Sequence, residues 1–199
     1  MNKLLIIAII SILFACKNND TNKINSEANL ENKTEIQDSL RNPNHYYYFA
    51  DINPKLFAKW ILNDSINPSD NFSTFRVMDS LEAKSIEDRE FYFKVFVKIK
   101  EKSDGALAEA IGLPALKYVE NHTEEFLNIS SKYPTEIFES WAYTVGLEIM
   151  LSSNENGIDD ADVFLKKLKE NCKNCSEENQ SKLDKFYTTM IDAINQNEE

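Results

Sequence analysis

SIEDREFYFKVFVKIKEK, residues 85–102, admits two readings, and the architecture of the whole chain turns on the choice. Phe91, Phe93, Val95, Val97 and Ile99 alternate with Tyr92, Lys94, Phe96, Lys98 and Lys100, the period of a half-buried strand built from strand-favouring residues. Read at helical spacing, the same residues place Tyr92, Phe93, Phe96 and Val97 on one stripe. Two considerations favour the helix. No other segment of the C-terminal domain alternates convincingly, so a strand here would lack a pairing partner. Ser85-Ile86-Glu87-Asp88 also has the form of a capping box that opens a helix.

Outward from this segment the punctuation is helical. Asn53-Pro54 offers an N-cap followed by proline at the first helical position, ahead of Leu56, Phe57, Trp60 and Ile61 on one face. Ser69-Asp70 precedes Phe72, Phe75, Met78 and Leu81, and Ser103-Asp104 opens a helix from Ala106 to His122. Pro134-Thr135-Glu136 introduces Ile137, Trp141 and Val145; Asp159 or Asp160 caps a segment with Val163, Phe164, Leu165 and Leu168. Ser176-Glu177-Glu178 opens a last helix through Leu183, Phe186, Met190 and Ile194. With only four glycines in the chain, this pattern predicts an all-α domain over residues 43–199. Antiparallel helices would pack in a compact unit or a short irregular α-α solenoid. No repeat of about 34 to 45 residues emerges to favour the solenoid.

The N-terminus carries a different signal. MNKLLIIAIISILFAC has a positive Lys3, an apolar core from Leu4 to Phe14 and a small residue, Ala15, before Cys16. A membrane-spanning helix needs roughly 20 apolar residues, and this run is shorter and is followed at once by the polar Lys17-Asn18-Asn19-Asp20. In these residues the chain resembles bacterial lipoproteins. The resemblance covers the export signal alone. It implies cleavage of residues 1–15, a diacylglycerol on the sulfur of Cys16 and an acylated new N-terminus. It also implies anchoring in the envelope, with Lys17 after the cysteine favouring the outer membrane. Residues 16–42 then read as a polar tether with no sustained apolar period. As a flexible coil it would span about 28 Å root mean square.

The formal net charge is −11, and loss of the signal removes a further cation, Lys3. Such acidity argues against nucleic acid as a partner and permits a basic protein. Candidate sites are few. Cys172 and Cys175 form a C-x-x-C pair between two predicted helices, at the C-terminal end of the first. That placement suits a disulfide pinning a turn in an oxidising compartment better than a redox pair at a helix N-terminus. Glu109 lies among small residues and is expected to be partly buried, with Arg76 or Arg89 as its partner. His122 and Glu125 stand one turn apart, but no second such pair completes a metal site. Residues 152–160, extended to Val163, align with a twelve-residue calcium loop only if Ser152 and Val163 replace its first and last acidic ligands, so a polar loop is the expectation. The run Tyr46, Tyr47, Tyr48, Phe49 is either a docking segment on the domain or a binding patch.

Catalytic motifs are missing from the sequence: His45 and His122 are the only histidines, and neither G-x-S-x-G nor H-E-x-x-H occurs. The expectation is therefore a non-catalytic module that binds an envelope protein and takes no cofactor or metal. Its sharper form is an immunity or inhibitor protein facing a basic toxin or hydrolase. A small-ligand carrier and a carboxylate-based hydrolase are the rival classes.

Overall fold

The computed structural model describes residues 52–153 and 157–197. Cys16, the tether, the Tyr46 to Phe49 run and the centre of the 152–160 loop lie outside the described residues. What is described is all-α: α1 Pro54–Leu62, α2 Phe72–Asp79, a 3₁₀ turn Ser80–Glu82, α3 Ile86–Lys102, α4 Gly105–Ala110, α5 Gly112–Asn121, α6 Thr123–Ser130, α7 Thr135–Ser152, α8 Gly157–Asn171 and α9 Glu177–Asn197. Among these, no helix is long and apolar enough to cross a membrane.

The ambiguous segment is a helix, and its burial explains its ambiguity. Tyr92, Phe93, Val95, Phe96, Val97, Ile99 and Arg89 are all buried. At 100° per residue they cover about 200° of the helix circumference. A helix enclosed on more than half its girth fills both sets of an alternating pattern with apolar side chains. Asp88 N–H donates to Ser85 Oγ at 3.1 Å, so the expected cap is formed. The cap of α1 also forms, with Lys55 N–H donating to Asn53 Oδ1 at 2.9 Å. For α2 the cap is Asn71, two residues beyond the expected Ser69: its Oδ1 accepts from Thr74 N–H at 2.9 Å. Ser69 instead receives the Asn71 side-chain amide at 2.7 Å.

The helix expected from Ala106 to His122 is two helices, α4 and α5, joined at Ile111. Pro114 supplies the reason. It has no N–H to give Ala110, the residue four before it, so the hydrogen-bond ladder stops there while Pro114 fits comfortably in the first turn of α5. A second break at His122 separates α5 from α6. Thr123 Oγ1, itself buried, donates to Val119 O at 2.9 Å across that break.

Helix α7 organises the packing. It lies against α9 most extensively and also against α5 and α8, an arrangement of one central helix with neighbours around it and not a linear stack of hairpins. Gly146 permits the α7–α9 crossing: a Cβ there would stand 2.7 Å from Met190 O and 3.1 Å from its Cα. The core around α7 is aromatic. Trp141 stacks on Phe93 at 5.0 Å with the planes 7° apart, and Phe96, Tyr118 and Phe126 close around it. The helices α8 and α9 are joined by a turn that holds the disulfide Cys172–Cys175, whose Cα atoms are 5.0 Å apart.

Candidate functional site

Three features bear on function, and the first is the polar cluster at the junction of α3, α5 and α6. Arg89, buried on α3, directs Nε to Glu125 Oε1 at 2.9 Å and Nη2 to Glu125 Oε2 at 2.6 Å. Its Nη1 donates to Ala83 O at 2.7 Å and Lys84 O at 3.1 Å. Tyr118 Oη donates to Glu125 Oε1 at 3.0 Å. Burial pushes the Glu125 carboxyl upward, but the bonds from Arg89 and Tyr118 outweigh it and leave the pKa below the ordinary value. The Tyr118 hydroxyl is held well above the usual phenol range by burial and by the Glu125 charge. On the rim, His122 Nε2 is 3.7 Å from Glu82 Oε1, and Asn121 Nδ2 donates to Glu82 Oε2 at 2.8 Å.

This cluster corrects one expectation. Arg89 takes Glu125 as its partner and not Glu109, which is exposed on the short α4. Arg76 lies on α2, with Nη1 3.4 Å from Ile52 O and its guanidinium over the Phe72 ring. The structure therefore does not assemble Glu109, Arg76 and Arg89 into a buried site; the break at Ile111 leaves Glu109 facing solvent. His122 and Glu125 do approach the same cluster, but the Glu125 oxygens are committed to Arg89 and Tyr118. Among the described residues, no group of three or more His, Cys, Asp or Glu side chains is placed to hold a metal ion. All three guanidinium nitrogens of Arg89 donate inside the fold, so the cluster reads as a clamp between helices.

The second feature is a cleft of about 350 Å³ at the α6–α7 corner, lined by Ser131, Tyr133, Thr135, Phe138, Lys182 and Lys185 among others. Its cations are already engaged. Lys182 Nζ lies 2.7 Å from Ser131 Oγ and 2.6 Å from Glu178, and Lys185 lies 2.9 Å from Glu139. Burial raises the Tyr133 hydroxyl above its usual range.

The third feature is the open face of α7. This helix buries Phe138, Trp141, Ala142, Val145 and Ile149. It nevertheless carries a second apolar line at i, i+4 and i+8: Tyr143, Leu147 and Leu151. Tyr143 is 39 % exposed and Leu151 70 % exposed, with Leu147 half-buried between them. Beside this line, Lys100 at the end of α3 donates from Nζ to Thr144 Oγ1. Burial lowers the Lys100 pKa to about 8. One turn further along the same side Glu148 packs over the first turn of α5, so close that a Cβ on Gly112 would lie 2.2 Å from its Oε2. Leu113, next in the chain, is 47 % exposed. Burial raises the Glu148 carboxyl above its ordinary value. These residues were not singled out from the sequence. The available signal was the excess of apolar residues in α7 over what one buried stripe requires.

Compared with known proteins, the chain matches no family model, no curated protein and no solved structure.

Proposed function

We propose that this chain is an envelope lipoprotein, anchored through lipid on Cys16, whose helical domain works by docking a protein on the open face of α7. The observation that carries the reading is the apolar line Tyr143, Leu147, Leu151 on a helix whose opposite side already fills the core. A helix that is apolar on a second face stabilises the monomer only where that face is covered, and here Leu151 is 70 % exposed. The commitment of both Glu125 oxygens to Arg89 and Tyr118 gives that cluster a structural role and leaves the open face of α7 as the feature that carries the reading. A net charge of −11 supports an alternative to docking on α7, an immunity or inhibitor protein that meets a basic toxin or hydrolase through its acidic surface.

The test is cross-linking of the lipidated full chain in intact cells, beside a Leu147→Glu/Leu151→Glu variant shown to keep its helical content. A protein product that depends on the two leucines supports docking through α7. Products unchanged by the double substitution, or none from either chain, would refute it.

A further inference from the structure

Two charges beside the open face of α7, Lys100 of α3 and Glu148 of α7, have no counterion among the described residues. Lys100 bonds to the Thr144 hydroxyl and to no carboxylate among the described residues. Glu148, one turn further along α7, makes no hydrogen bond or ion pair from its carboxylate among the described residues; its neighbour is the Gly112 backbone. Both side chains are half-buried, where an uncompensated charge is costly. Neighbouring cations are already spoken for: Lys98 and Lys102 both bind Asp64.

The pattern selects among occupants. A basic segment of another protein would neutralise Glu148 and confront Lys100, and an acidic one would do the reverse. A second copy of this chain, related by a twofold axis, satisfies both, because any contact between residues i and j in an isologous interface occurs twice. The same operation lays one Tyr143, Leu147, Leu151 line against the other and covers Leu113. We propose that the chain forms a twofold homodimer through α7, in which Lys100 of each copy pairs with Glu148 of the other. The inference rests on the reading of α7 as a docking helix and names what docks there.

The experiment uses the full chain in its native envelope and, after detergent extraction, in sedimentation equilibrium. Leu151→Cys is treated with a short bis-maleimide, with Val163→Cys on α8, exposed but off this face, as the comparison. The expected result is a covalent dimer from Leu151→Cys and monomer from Val163→Cys. Lys100→Glu and Glu148→Lys should each weaken dimerisation at least about tenfold, and the double reversal should restore it to within about twofold of the parent. Lys100→Gln and Glu148→Gln, which introduce no new charge, should weaken it less and serve if a reversal variant fails to fold. A folded double reversal that stays monomeric overturns the pairing. Equal dimer from Val163→Cys, or monomer throughout, overturns the dimer. If the chain is monomeric yet still captures a different protein through Leu147 and Leu151, the homodimer falls and docking by α7 stands. If it captures nothing, both fall.

Discussion

Arg89 and Glu125, thirty-six residues apart in sequence, meet fork to fork: Nη2 to Oε2 at 2.6 Å and Nε to Oε1 at 2.9 Å. This bond ties α3 to the start of α6 across the break at His122. Because Arg89 also donates to Ala83 O and Lys84 O, it fixes the turn before α3 to the same point. A half-buried ion pair of this kind need not add net stability over an apolar pair, but removing one partner strands the other.

Arg89→Met should therefore destabilise the domain by about 3–5 kcal/mol, through the uncompensated Glu125 charge and the two orphaned carbonyls. The Arg89→Met/Glu125→Leu double variant should recover a large part of that loss. Urea titrations of the three chains, followed by circular dichroism, decide the matter. Equal losses in single and double variants would mean that the packing of the two stems matters and the charge does not.

The same pair predicts a pH dependence. The folded pKa of Glu125 lies below its ordinary value of 4.5, so on acidification the unfolded chain takes up the proton first. The stabilisation is complete above pH 4.5 and is lost as pH falls through the folded pKa. Between pH 5 and pH 3 the melting temperature of the parent should fall more steeply than that of Glu125→Gln. Parallel curves would show that Glu125 does not contribute to acid unfolding.

The element types were legible from sequence because caps and spacing act locally: Asn53, Ser85 and Pro134 sit where their helices begin. The segment 85–102 is ambiguous in sequence for a tertiary reason, since enclosure on several sides erases the one-sided stripe on which helix recognition depends. The break at Ile111 has its cause in Pro114, whose missing N–H interrupts the ladder, while the helix-favouring Ala106, Leu107, Ala108 and Ala110 make the segment read as one helix. Partnerships were less legible. Whether Arg89 finds Glu109 or Glu125 depends on the direction α6 takes after His122, which spacing along the chain does not encode. The open face of α7 was missed because a leucine such as Leu151 has the same identity in a core and on a surface. Only its neighbours distinguish the two.

At the α7–α9 crossing, Gly146→Ala should destabilise in spite of alanine's better helix propensity. The added Cβ would meet Met190 O at 2.7 Å, a backbone atom that cannot move aside as a side chain would. Overpacking of this kind costs about 1–3 kcal/mol, more than the gain of about 1 kcal/mol from replacing glycine in a helix. A thermal midpoint at or above that of the parent would mean that α7 and α9 can separate slightly without loss.

The Cys172–Cys175 bridge closes a very short loop, so its effect should be small. Chain-entropy arithmetic for such a loop gives about 2 kcal/mol. Cys172→Ala/Cys175→Ala should lower stability by about that amount and leave the helical circular dichroism signal intact. Both sulfurs are buried, Cys172 at 1 % exposure, so part of the loss will be packing. Complete unfolding of the double variant would assign the turn between α8 and α9 a larger role than a local pin.

Lys100 supplies the prediction that tests the open face of α7 from the opposite end of the pH scale. Its amine titrates near 8 in the folded chain and at 10.5 when unfolded, because burial beside Thr144 disfavours the cation. Between those values the unfolded chain holds more protons, so stability should rise with pH from about 8 to about 10.5. The rise has an upper bound of roughly 3 kcal/mol. Lys100→Met removes the titrating group and sets the baseline, so the parent should gain on the variant across this range in dilute solution. Concentrated protein supplies the counter-test. If a second copy brings Glu148 to Lys100, the amine has a counterion, its pKa returns toward 10.5, and the gain shrinks as the concentration rises. A gain independent of concentration would mean that Lys100 stays unpaired in every state, while its absence at all concentrations would show that the amine is solvated and its charge costs the fold nothing.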